Sequence, residues 1–182
     1  MRGVKERADA ARNRARVLSA AERLFVERRA VTMEQIAAAA GVGKGTLYRR
    51  YPDVASIAQA LLDEHERELQ DALLRGPPPL GPGAPAAERL AAFYRAMVEL
   101  LERHGHLALA GETGALRYRT GAYDAWAVHV GVLLGDAANP ALVDALLAPV
   151  APDVFAHQRE RGLSVGEITD ALETLARRVM AA

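Results

Sequence analysis

The sequence predicts an all-α protein, with an N-terminal three-helix helix-turn-helix domain over residues 1–53 and a C-terminal helical domain over 54–182. Three observations carry that prediction. Apolar residues recur along most of the chain at the spacing of one helical face, as in Val17, Leu18, Ala21, Leu24 and Phe25. No stretch alternates apolar and polar residues as a half-buried strand does. Prolines and glycines fall between the periodic stretches, at Pro52, Gly76–Pro85, Pro140, Pro152 and Gly162, where they end one helix or open the next. With 182 residues, 51% of them apolar, the chain can bury a substantial core.

Met1 to about Ala8 has no apolar periodicity and is expected to be mobile, its Arg2, Lys5 and Arg7 forming a solvated arm. The first helix is expected from about Asp9, with Arg12, Arg14 and Arg16 towards its outer side, where they could add phosphate contacts or serve as ordinary helix-surface residues. Arg28, Arg29, Ala30 and Val31 then lead to Thr32, whose hydroxyl can accept from a free backbone N–H and so cap a helix. That second helix is short. Ile36 and the small Ala37 to Ala40 suit close approach to another helix, and Gly41 has the freedom to end it. Val42 plugs the corner. From about Gly43 a third helix carries Lys44, Thr46, Tyr48, Arg49 and Arg50 around a single inward Leu47, a surface of hydroxyls and cations matched to phosphates and base edges.

These residues resemble a known family. The run IAAAAGVGKGTLYRRYPD, preceded by AAERLFVERRAVTMEQ, is similar to the DNA-binding segment of the tetracycline-repressor (TetR) family of bacterial transcription regulators, over roughly Ala10 to Leu62. The resemblance implies a homodimer that binds double-stranded operator DNA, most often as a repressor, and a C-terminal part that takes a small-molecule effector. It also implies that the fourth helix belongs to both parts. Two departures from the family pattern stand out: no glycine follows the first helix, and Val54 replaces a lysine that commonly grips phosphate there. Lys44, Thr46 and Arg49 are assigned to the groove, Thr32, Tyr48 and Arg50 to the DNA backbone, and Leu47 and Tyr51 to packing.

Charge agrees with that division. Residues 1–52 hold 12 Lys/Arg against 5 Asp/Glu, leaving 11 basic and 18 acidic residues for the rest, so a net charge of zero conceals +7 against −7. Such segregation marks a polyanion-binding module joined to one with another task.

Beyond Pro52 and Asp53 a helix is expected to about Leu74, with Ile57, Leu61, Leu62, Leu69 and Leu73 inward. Gly76 to Pro85 is a loop. A helix from about Ala86 to His104 carries Leu90, Phe93, Tyr94, Met97, Leu100, Leu101 and His104 on one wide face. Gly105 to Thr120, interrupted by three glycines, reads as a short helix and a loop. Helices follow over Gly121–Gly135, Pro140–Ala148 and Pro152–Arg161, and a last one from Ser164 to about Met180 opens on a Ser164–Glu167 capping box.

An effector cavity among these helices is expected to take Tyr94, Met97, Tyr118, Tyr123 and Trp126 as its aromatic and soft lining and His104, Glu112 or His129 as a polar anchor, because small-molecule sites are apolar clefts with few polar anchors, although each residue taken singly suits plain core packing better. Resemblance implies a dimer interface from the last two helices, with Ile168, Leu172, Leu175 and Val179 as its seam; the same seam could instead face the chain's own core. No catalytic residue, metal or cofactor is expected. The three serines sit in no nucleophile elbow, and His104 and His106 do not share a helical face. Absence of cysteine and of a long apolar run points to a cytoplasmic protein without membrane association. A small helical enzyme relying on His104 or Glu112, and a protein-binding adaptor that has lost DNA recognition, are the competing readings.

Overall fold

The computed structural model describes residues 2–27, 30–111 and 121–181, with side chains from residue 9 onward apart from 106–111. Among these residues the chain is helical and contains no strand. The helices are α1 (Arg2–Glu27), α2 (Met33–Ala40), α3 (Lys44–Arg50), α4 (Val54–Arg75), α5 (Ala86–Gly111), α6 (Gly121–Leu134), α7 (Pro140–Leu147), α8 (Pro152–Glu160) and α9 (Val165–Val179). They form two compact units, Met1–Glu64 and His65–Ala182.

The division falls inside α4, eleven residues beyond the 53/54 boundary expected from sequence. Packing explains the displacement, since Ile57 and Leu61 of α4 join Val17, Leu18, Ala21 and Leu24 of α1, Ile36 and Ala40 of α2, and Leu47 of α3 in one core. Burying each Leu or Ile contributes about 1.5–3 kcal/mol, so α2 and α3, with eight and seven residues, owe their stability to this core and not to their own length.

Local signals set the ends of α2. The Thr32 hydroxyl accepts from Gln35 N at 3.3 Å while the Gln35 side chain accepts from Thr32 N at 3.0 Å, a reciprocal capping box. At the other end Gly41 adopts φ 62°, ψ 39°, and Val42 N donates to the Ala37 carbonyl at 3.0 Å. Only glycine takes that left-handed turn without strain, and the Arg16 guanidinium closes over it, donating to the Gly41 carbonyl at 3.1 Å.

The second unit is organised on α5, which packs mainly against α9 and then α8, with α6 and α7 on its flank. Phe93, Tyr94 and Leu90 of α5 are fully buried. The Tyr94 hydroxyl donates to the Leu146 carbonyl at 2.9 Å, giving a buried polar group its partner. On α9, Glu173 is nearly buried and paired with Arg95, whose Nε donates to it at 2.9 Å. The expected Ser164–Glu167 capping box opens α9, with Glu167 N donating to Ser164 Oγ at 3.2 Å.

Two elements differ from their expected extents. The backbone of α1 is helical from Arg2 and not from Asp9, because Lys, Arg, Glu and Ala in this stretch sustain a helix without an apolar face. Helix α5 runs through Gly105 to Gly111, where sequence placed a break. Gly105 is buried against Phe155 of α8, and that tertiary support outweighs the roughly 1 kcal/mol a glycine costs inside a helix. No helix of the described residues is long and apolar enough to cross a membrane.

Candidate functional site

Helix α3 presents its chemistry outward. Lys44, Gly45, Thr46, Tyr48, Arg49 and Arg50 are all exposed, and Leu47 alone turns into the core at 2% exposure. Gly43 precedes it in an extended conformation, its carbonyl accepting from Leu47 N at 3.1 Å, so the helix starts immediately after the Gly41 corner. All six residues assigned to DNA from sequence are exposed: five on α3, and Thr32 at the start of α2.

On α3 the side chains are held by short local contacts. Arg49 Nη2 donates to Thr46 Oγ1 at 3.3 Å, and the Arg50 guanidinium carbon lies 5.9 Å from the Tyr51 ring centroid. Glu34 of α2 is the one acid among these contacts, with its carboxylate 3.7 Å from Lys44 Nζ and accepting from the Tyr48 hydroxyl at 3.4 Å. Its own backbone N–H, and then the Lys44 charge, hold Glu34 below the usual carboxylate range. Tyr48 shifts upward through partial desolvation and then the Glu34 charge, so it stays a neutral donor. Sequence reading missed Glu34, although its place one turn into α2 made it a neighbour of any side chain leaving α3.

Arg12, Arg14 and Arg16 of α1 each have a partner within the protein. Arg14 is half-buried and bonds Glu64 at 2.7 Å and the Tyr51 hydroxyl at 3.3 Å, fastening α4 and the end of α3 to α1. That partnership with Glu64 strengthens its hold on its proton. Arg16 caps the Gly41 corner, and Arg12 pairs with Asp9. Arg2, Lys5, Arg7, Arg28 and Arg29 lie outside the residues whose side chains are described.

In the second unit the expected effector residues go mostly to the core. Tyr94, Met97, His104 and Trp126 are buried, His104 meeting His65 edge-on at 4.4 Å. Tyr123 is half-buried, its hydroxyl donating to Asp144 at 2.6 Å. Glu112 and Tyr118 lie outside the described residues. Of the expected residues, His129 lines the cavity of about 360 Å³ that opens between α4, α5 and α6, and its other walls are Gln70, Leu73, Leu74, Arg89, Asp124, Ala125, Val128 and Val132. Of the expected dimer seam, Ile168 and Leu172 are buried in the unit's own core, whereas Leu175 and Val179 remain half-buried.

A short helix capped on both sides, a left-handed glycine corner and an outward cationic helix define a helix-turn-helix DNA-binding module. Residues 17–61 match the family described as bacterial regulatory proteins, tetR family. Solved structures extend the likeness to the full fold. One assigned to a TetR-family transcriptional regulator from Rhodococcus sp. is 18% identical with a TM-score of 0.64, over 92% of this chain and 98% of that one. Another, from Syntrophomonas wolfei, is 14% identical with a TM-score of 0.61, over 93% and 95%. A TetR-like regulator from Rhodococcus sp. RHA1 is 20% identical with a TM-score of 0.59, over 93% and 96%. No curated protein is similar to the chain. The helix-turn-helix domain is thus a TetR-family one, and the whole chain has the fold of TetR-family transcriptional regulators.

Proposed function

We propose that the protein is a ligand-responsive repressor that binds a near-palindromic operator as a homodimer and is released by a small-molecule effector, without enzymatic activity. The outward face of α3 carries this reading: its only buried side chain is Leu47, and every other one is a phosphate or base-edge partner. Twofold symmetry places two such helices in successive major grooves about 34–36 Å apart. Thr46 and Arg49, linked to each other, are the base readers together with Lys44. Thr32, Tyr48 and Arg50 fix the DNA backbone. Leu175 and Val179 of α9 are the part of the expected seam left for a partner copy. Release requires an effector that binds one state better than the other, because equal affinity shifts nothing.

Selection of tight binders from a random-sequence duplex library tests the reading. Enrichment of one near-palindromic motif is expected, with Arg49→Ala relaxing base preference at one position of each half-site and Tyr48→Phe weakening all sequences alike. Weak binding without any motif would overturn it in favour of a protein-binding adaptor.

A further inference from the structure

We propose that the cavity between α4, α5 and α6 is the effector site for a small apolar molecule ending in a carboxylate, with Arg89 and His129 as its polar end. The proposal rests on the reading of the second unit as an effector domain. At about 360 Å³ the space falls within the range of small-molecule clefts, and Leu73, Leu74, Ala125, Val128 and Val132 make most of its walls. Three of these are conspicuous, since Leu74, Val128 and Val132 are 66%, 67% and 68% exposed. A cluster of large apolar side chains in water is a feature that an apolar occupant relieves.

The polar end sets the ligand class. Arg89 Nη2 donates to the Leu73 carbonyl at 3.3 Å, but its buried Nε has no partner, and no carboxylate among the described residues forms an ion pair with it. His129 is only 9% exposed and its Nε2 is likewise buried without a partner. Two orphaned nitrogens on side chains lining one cavity are costly unless a ligand meets them. Burial, and then the nearby Arg89 charge, lower the His129 pKa to about 4, so the ring is neutral at neutral pH and keeps one N–H to donate. Arg89 repels a cationic ligand, and a neutral acceptor would leave its charge unpaired; a carboxylate satisfies both the donor and the charge. Asp124, the remaining charged wall residue, is exposed at the mouth, where water screens it.

Titration calorimetry on the full chain without DNA, using octanoate, octanol and octylamine as probes of equal chain length, tests the assignment. Octanoate should bind roughly tenfold or more tightly than octanol, and octylamine least. Arg89→Met, which keeps the apolar stem, should abolish the octanoate preference while octanol binding persists, and Arg89→Lys should recover part of it. Val132→Trp, which fills the mouth, should block all three and keeps the test alive if the Arg89 variants do not fold. Equal affinity for octanoate and octanol, a preference surviving Arg89→Met, or no binding because a second copy covers the rim would each overturn the proposal. Because no DNA is present, failure here leaves the operator reading intact, and failure of duplex selection leaves this result standing.

Discussion

His129 should make the second unit acid-sensitive over a defined range. The unfolded ring takes up a proton near its ordinary value of 6.5, while the folded ring resists until about 4. Folding therefore releases a proton between these values. The contribution is fully present above about pH 6.5 and is lost as pH falls towards 4. Between pH 7.5 and pH 5 the two pKa values give a loss of at most about 2 kcal/mol, levelling at about 3 kcal/mol below pH 4. Trp126, the only tryptophan, reports on this unit: it is buried, and the Phe93 ring lies 5.9 Å from it and 5.4 Å from His129. Urea unfolding followed by its fluorescence at a series of pH values, on the wild-type protein and on His129→Leu, isolates the effect from the carboxylates both share. The wild type should lose the extra ~2 kcal/mol on acidification and the variant should not. Parallel pH profiles for the two proteins would refute the reasoning.

Tyr94→Phe removes the hydroxyl that donates to the Leu146 carbonyl at 2.9 Å and leaves that acceptor buried, so thermal unfolding monitored at Trp126 should show a loss of about 1–3 kcal/mol. Gly41→Ala imposes a side chain on a left-handed residue, φ 62°, and on the Arg16 guanidinium above it; circular dichroism should register about 1–2 kcal/mol lost from the first unit. Glu34→Gln frees Lys44 and Tyr48 from their shared acid, and duplex binding by fluorescence anisotropy should tighten up to roughly fivefold.

The helix-turn-helix was legible because local chemistry and core packing agree there. Thr32 and Gly41 bound α2 by capping that needs no distant partner, and Leu47 is the only apolar residue of α3 besides Tyr48, so its inward direction followed directly. The Ser164–Glu167 cap and the proline starts of α7 and α8 were legible for the same reason. Gly105 misled because its helical cost is local while its compensation, Phe155, lies 50 residues away. The cavity was legible only in part: His129 was among the polar anchors expected, whereas Arg89, 40 residues away and in no motif, was not. Aromatic residues drew the expectation to Tyr94 and Trp126, which their large area sends into the core.

The position of Glu34 also governs how binding responds to ionic strength. Lys44 carries a built-in counterion, and Arg14 and Arg12 are likewise occupied by Glu64 and Asp9, so these cations hold few condensed anions in the free protein. When DNA arrives, Lys44 gives up a protein carboxylate instead of a mobile ion. Arg49 and Arg50 form no such pair among the described residues. The dependence of affinity on salt concentration, which follows the counterions that DNA and protein shed, should therefore be shallower than twelve basic residues in residues 1–52 would suggest.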